Sequence, residues 1–322
     1  MGFPTGDDLA NAKMWMNGKI IPWADAKVHV LTHALHYGSG VFEGIRAYAT
    51  EDGPAIFRLD DHMERFLLSG KVYGMEYPHT REELSEACKA VVRENGLASA
   101  YIRPIAYYGY GRLGVHPSGL PIEVAVGAWE WGSYLGDEAL EKGVRVALSP
   151  WRRIPPDALP VSAKACGQYL SSILGTMSVK KNGFHEALFL DHNGNVSEGS
   201  GENIFIIKDN VILTPHTGSS ILEGITRDSV MTIARDLGYE VREKTLVMGD
   251  VFGADEAFFT GTAAEVTPIR EVEYRTIGSG EPGPVTREIQ TVYLDAVRGR
   301  RPEYASWLTR VAPRTKTVEE AA

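Results

Sequence analysis

The chain has 322 residues and only two cysteines, Cys88 and Cys166, far apart in sequence. So few thiols exclude a disulfide framework, offer no metal-type spacing and fit a reducing cytoplasm. Long apolar runs are missing too. No stretch of about 18 uninterrupted apolar residues occurs, and the opening MGFPTGDDLANAK has no apolar run behind a basic start, so neither a membrane span nor a signal peptide is expected. Positive charge is in deficit: 33 Lys+Arg against 42 Asp+Glu leave a formal charge of -9 with no local basic cluster, so no nucleic-acid partner is expected. Nucleotide loops are absent, since no segment has Walker spacing and no GxGxxG opens a helix after a strand. His29, His33 and His36 lie close together in HVLTHALHYG, but Val28-His29-Val30 reads as strand. Helical spacing then fails across the group and no carboxylate completes a ligand set, so no metal is expected.

What is present is ordinary globular material, 43% hydrophobic and 23% charged, long enough for two modest cores. The first part reads as an α+β unit. MWMNGKII forms a hairpin around Asn17-Gly18, IRAYAT and AIFRL are strands, and Asp60 or Asp61 caps a helix to about Met75. Thr80 and Glu83 have capping-box spacing for a second helix ending near Asn95-Gly96; AYIRPIAYYG and PIEVAVGAWEW then alternate like antiparallel strands. The pattern breaks over 132–142, read as a linker between a small domain, 1–131, and a larger one, 143–322. The second part reads as strand GVRVALSP, a helix over Gly167 to Asn182, a hairpin from EALFLD through Asn193-Gly194 to VSEGSGENIFIIK, and strand VILTP. A helix Thr226 to Leu237, strands YEVREKTL and EAFFTGTA, and a helix near Val285 to Val297 follow.

Several residues carry chemistry only in combination. Lys164 in VSAKACGQYLSS is by itself an ordinary lysine. LEGITRD leads through Gly224 into a helix whose first N–H groups would face an anion, although a plain Thr226 cap reads the same way. FFTGTAAE ends a strand in Gly261-Thr262-Ala263, small residues that let backbone approach a ligand and offer a hydroxyl. Two anion cradles without a nucleotide motif, plus a lysine among small residues, point to pyridoxal phosphate, whose aldehyde needs an amine and whose phosphate needs N–H donors. A carboxylate must also face its pyridine nitrogen, and Glu198 in VSEGSGENIF is the candidate.

Taken together, HALHYGSGVFEGIRAY, YIRP, SAKACGQYLSS, SEGSGENIF, EGITRD and GTAAEVTPI resemble the class IV aminotransferases, most closely the branched-chain amino acid aminotransferases, over nearly the whole chain. The resemblance implies pyridoxal phosphate fold type IV, like D-amino acid aminotransferase: two α/β domains with largely antiparallel sheets, the larger barrel-like. It implies pyridoxal 5'-phosphate as cofactor, with Lys164 as catalytic Schiff-base lysine, Glu198 at the ring nitrogen and Tyr169 at the ring oxygen. Arg65, Ile225, Thr226, Gly261 and Thr262 would hold the phosphate. Tyr101, Arg103, Thr262 and Ala263 would receive the substrate carboxylate, and Tyr37, Phe42, Leu113, Val115, Trp131 and Tyr134 would line the side-chain pocket. Implied substrates are L-leucine, L-isoleucine and L-valine with 2-oxoglutarate, in a homo-oligomer whose 111 to 115 loop reaches the neighbouring subunit. Related activities on D-amino acids or (R)-amines, an aminodeoxychorismate lyase, and a non-catalytic phosphate-ligand binding protein are the alternatives. Arg112 and Cys166 depart from the family pattern.

Overall fold

The computed structural model describes residues 9–131 and 136–312. The chain divides into two compact units, crossing from one to the other after Trp131 and returning after Asp295. The return falls inside the stretch 143–322 that the sequence pattern suggested was one domain. Its physical basis is a strand, Leu308–Arg310, that pairs antiparallel with Gly53–Phe57 through Leu308–Phe57, Thr309–Ile56 and Arg310–Ala55.

The first unit is an antiparallel sheet of eight strands. Its spatial order runs from Leu308–Arg310 through Gly53–Phe57, Ile45–Thr50, Ala100–Tyr108 and Ile122–Trp129 to the hairpin Lys13–Met16/Lys19–Pro22. The hairpin turns at Asn17-Gly18, where both residues have positive φ, 48° and 88°. Helices Leu59–Val72 and Arg81–Glu94 bury Met63, Phe66, Leu84 and Val91 in this unit. The second helix carries the expected capping box, with Thr80 accepting from the Glu83 N–H and Glu83 from the Thr80 N–H. The first starts earlier than expected: Leu59 opens it, and Arg58, in the left-handed region, donates to Asp61 at 2.6 Å. Residues 28–30 form no strand; instead a short helix, His33–Tyr37, follows them.

Pro104 sits inside the central strand Ala100–Tyr108, where a missing N–H would ordinarily break a ladder. The neighbouring chain is interrupted at the same level. Gly40–Phe42 pairs up to Ile105, Ile45–Thr50 resumes at Ile102, and Glu43 and Gly44 bulge between them. Tyr101 on this strand reaches into the interruption, its hydroxyl lying where a Cβ on Gly44 would be.

The second unit is a mixed sheet ordered Glu240–Glu243, Val211–Thr214, Asn203–Lys208, Glu256–Gly261, Glu265–Val272, Val144–Leu148, Glu186–Leu188, with Arg275–Thr276 paired to Glu265–Val272. Val144–Leu148 runs parallel to both neighbours, as does Glu240–Glu243 to Val211–Thr214; the other pairings are antiparallel. The expected long hairpin is only half formed. The chain does reverse at Asn193-Gly194, bridging Leu190 to Val196, but Asn203–Lys208 then leaves to pair with Glu256–Gly261 and Val211–Thr214. The core packs Leu188, Ile204, Ile206 and Phe259 against Val251 and Leu246. Helix Tyr169–Lys180 faces inward with Ser172, Gly175 and Val179. Gly175 is required there, because a Cβ would collide with the Phe189 ring.

Candidate active site

In the second unit, Lys164 ends a tight loop stitched by the Ala163 N–H to Pro160 O and the Gln168 side chain to the same carbonyl. A 3-10 turn, Cys166–Gln168, leads directly into helix Tyr169–Lys180. The loop is therefore short and fixed at both ends, and it brings Lys164 Nζ to within 2.6 Å of the Tyr169 hydroxyl, to which it donates. An amine and a phenol are thus held on one spot by the start of one helix.

Glu198 follows the turn at Asn193-Gly194 and is buried. Its Oε2 accepts from the Asn203 side chain at 3.2 Å and the Leu222 N–H at 3.1 Å; its Oε1 is ion-paired with Arg153 Nε at 3.1 Å. Burial pushes this carboxyl upward, while Arg153, the Leu222 N–H, Lys164 and Arg227 pull it back. Desolvation and attraction are thus opposed at a single acid.

Asn203 ties Glu198 to the anion cradles. It donates to Leu222 O at 2.9 Å, pairs across the sheet with Thr260, and its Oδ1 occupies the space that a Cβ on Gly224 would need. Gly224 caps helix Ile225–Asp236, whose first residues, Ile225 and Thr226, are buried. Thr260 leads into Gly261, Thr262 and Ala263 at the strand end, and Gly261 is also tight, with Gly201 O at 3.3 Å from a Cβ. Lys164, Tyr169, Glu198, the helix start and the glycine loop therefore belong to one unit, and Ser172, on the helix that Tyr169 opens, donates to Ser200 O at 2.6 Å just beyond Glu198.

The first unit carries the other expected residues. Arg103 donates to the Tyr101 hydroxyl at 2.9 Å and lies over the rings of Phe42 and Tyr101, at 4.8 and 5.1 Å. Its Nε is buried with no hydrogen-bond partner among the described residues, a donor available to an anion. Tyr101 stacks on Trp131 at 4.7 Å and lies 5.5 Å from Trp129. A Cβ at Gly44 would collide with the Tyr101 hydroxyl. Arg65 is fixed by Glu43, to which its Nε and Nη2 donate at 2.7 and 2.8 Å, with His62 Nδ1 2.8 Å from the same carboxylate. Burial opposes the Glu43 charge, but Arg65 and His62 together hold it well below the usual carboxylate range. Tyr37, Leu113 and Val115 are exposed, and the 111 to 115 loop is tethered by His33 Nε2 at 2.9 Å from Gly114 O. Tyr134 lies outside the described residues.

Residues 40–272 match the family of class IV amino-transferases. The chain belongs to the class IV aminotransferases. A branched-chain-amino-acid aminotransferase of Pseudomonas aeruginosa is 49% identical over 298 residues, spanning 92% of this chain and 97% of that protein. Its namesake in Escherichia coli K12 is 46% identical over 299 residues, with the same coverage. Among solved structures, a branched-chain amino acid aminotransferase from T.th., with pyridoxamine 5'-phosphate, superimposes with a TM-score of 0.91 at 53% identity, covering 94% of this chain and 99% of that one. The Escherichia coli enzyme gives 0.92 at 46% identity, covering 94% and 100%.

The cofactor of this aminotransferase is pyridoxal 5'-phosphate. The donor set fits it: an amine for the aldehyde, a phenol beside it, a buried carboxylate for the ring nitrogen, and a helix N-terminus with a glycine loop for the phosphate. Four residues of these frameworks escaped the sequence reading: Glu43, Gly44, Arg153 and Asn203. Asn203 had a signal, since it shares SEGSGENIF with Glu198. Arg153 in PWRRIPP had none, because nothing in sequence distinguishes it from Arg152.

Proposed function

We propose that the protein is a branched-chain amino acid aminotransferase, moving the amino group of L-leucine, L-isoleucine or L-valine reversibly to 2-oxoglutarate in two half-reactions. The observation that carries this reading is the Lys164–Tyr169 contact held in the same framework as buried Glu198 and the helix start at Ile225. The identity to relatives named for branched-chain substrates supports the substrate class.

The cofactor supplies an aldehyde that condenses with amines and an electron-poor ring that takes up the pair left when Cα loses its proton. Lys164 is the amine that would hold the cofactor's aldehyde and, freed by the substrate amine, would carry the Cα proton as base and then acid. Tyr169, which already accepts from the Lys164 amine, would also meet the ring oxygen. Glu198 would keep the ring nitrogen protonated. Ile225, Thr226, Gly261 and Thr262 would receive the phosphate, and Arg65, oriented by Glu43, would offer it a guanidinium donor. Arg103 and Tyr101, with backbone at Thr262 and Ala263, take the α-carboxylate, which orients the Cα–H bond. Phe42, Trp131, Tyr37, Leu113, Val115 and Tyr134 form the apolar enclosure for a branched side chain.

The protein works as a homo-oligomer. Supporting this, helix Tyr169–Lys180 turns Leu170, Ile173, Leu174 and Met177 outward, and Val115 is 82% exposed with Tyr110 and Leu113 beside it. No helix among the described residues is long and apolar enough to cross a membrane, and free, buried Cys88 suits a reducing cytoplasm.

Purified protein should be yellow, and borohydride should fix the cofactor to the peptide containing Lys164. Initial rates with L-leucine, L-isoleucine and L-valine should exceed those with D-alanine and (R)-1-phenylethylamine. A colourless protein that stays inert when given cofactor would sink the reading; the reverse substrate order would move it to a related activity.

A further inference from the structure

Glu198 stands in surroundings that penalise its charge, yet the proposed chemistry requires it ionised. Among the described residues, the only guanidinium paired with it is that of Arg153, which is itself buried. Arg153 is unusually constrained. Nη1 donates to Ser172 Oγ at 2.8 Å, and Nη2 to Gly199 O and, at 3.1 Å, to Ser200 O. Its plane covers the Phe189 ring at 4.5 Å. Ser172 in turn donates to Ser200 O at 2.6 Å. Ser172 lies on the helix that begins at Tyr169, and Gly199 and Ser200 directly follow Glu198, so one side chain fastens the two segments that carry the proposed cofactor groups.

We propose that Arg153 is the positioning residue that keeps Glu198 ionised and aimed at the cofactor's ring nitrogen, through the fork that ties Ser172 to the Gly199-Ser200 turn. The proposal rests on the assignment of Glu198 to that nitrogen. Two other carboxyls share the neighbourhood, Glu186 and Glu202. Burial pushes both up, Glu202 to about 8 with repulsion from Glu186 added. Near neutral pH Glu202 is therefore mostly uncharged, and the Arg153 charge acts mainly on Glu198. The remaining charged neighbours of Glu198 are Lys164 and Arg227; its hydrogen-bond partners are Asn203 and the Leu222 N–H.

The test follows the visible absorbance of the cofactor-loaded protein against pH in the wild type, Arg153→Met, Glu198→Gln and the double variant. A ring nitrogen that loses its proton makes the ring less electron-withdrawing, so the midpoint of the pH transition should rise in Glu198→Gln. Arg153→Met should raise it in the same direction by about one pH unit, and should add nothing in the Glu198→Gln background. A raised midpoint in Glu198→Gln with none in Arg153→Met, even if Arg153→Met melts earlier, would reduce Arg153 to a structural role and overturn the proposal. An unmoved midpoint in Glu198→Gln would overturn the Glu198 assignment and the proposal with it. Should Arg153→Met fail to load cofactor, Arg153→Gln, which keeps a polar donor but no charge, must show the same rise; its absence overturns the proposal equally.

Discussion

At the scale of single residues, Arg103 and Glu202 make opposite kinds of demand on their surroundings. Arg103 has a buried Nε with no partner among the described residues and a second nitrogen engaged by the Tyr101 hydroxyl, so the tyrosine aims it without neutralising it. Arg103→Ala should lower kcat/KM for amino acids by about 1.5–3 kcal/mol, roughly ten- to a hundredfold, the range for hydrogen bonds to a charged group. An amine without a carboxylate should be affected far less; equal losses would make Arg103 a support of the fold. Glu202 is a buried acid whose proton is held more tightly in the folded chain, from 4.5 up to about 8. Between those values the folded state binds a proton that the unfolded state has released, so stability is full below about 4.5 and falls as pH rises towards 8. Glu202→Gln should flatten that decline, as measured by urea unfolding from pH 5 to 8.5; an unchanged slope would assign the pH dependence elsewhere. The place of Arg103 beside Tyr101 on one strand was expected from YIRP, but the behaviour of Glu202 was not readable in the sequence. Glu202 looked like any acid in SEGSGENIF, and its character comes first from its burial and then from a second carboxyl, Glu186, brought in by a different strand.

At the scale of elements, the sequence was most informative where local chemistry decides. The Thr80/Glu83 capping box and the Asn17-Gly18 turn formed as expected because their donors and acceptors lie within a few residues. The partnership of Asn203–Lys208 was misread, because which of several apolar strands it joins depends on the sheet as a whole. The same holds for the site: Lys164 and Tyr169 share one loop and helix start, whereas Arg153 reaches Glu198 from 45 positions away in sequence, within the frame built by other elements. Helix Ile225–Asp236 shows how much rests on one missing side chain. Gly224 has φ of -74°, a conformation open to any residue, so only space excludes a larger one. Gly224→Ala should push Asn203 off Glu198 and Leu222, weakening cofactor binding by about 1–3 kcal/mol through the polar groups left unpaired. Absorbance titration of the apoprotein with pyridoxal phosphate would read it, and unchanged affinity would show that Asn203 is not needed there.

At the scale of the whole molecule, helix Tyr169–Lys180 is inside out. It turns small residues inward and Leu170, Ile173, Leu174 and Met177 towards solvent. Covering each large apolar side chain is worth about 1.5–3 kcal/mol, so four on one face can supply much of a subunit contact. Leu170→Lys with Met177→Lys should shift the assembly towards monomer in sedimentation velocity. An unaltered assembly would place the contact on another face, such as that of Val115. The sequence showed these residues as a helical pattern and could not tell inward from outward, since the choice is set by the close approach of Gly175 to Phe189.

The strand Leu308–Arg310 completes the sheet edge at Gly53–Phe57, and the Arg58 N–H bonds Trp307 O. A ribosome therefore makes the first unit's last strand only after the entire second unit has been synthesised. Until then Gly53–Phe57 is an open edge, a template for other chains. The first unit's folding is in this way scheduled by the synthesis of the second, and the cell meets an unfinished sheet for as long as 164 intervening residues, 132 to 295, take to be made.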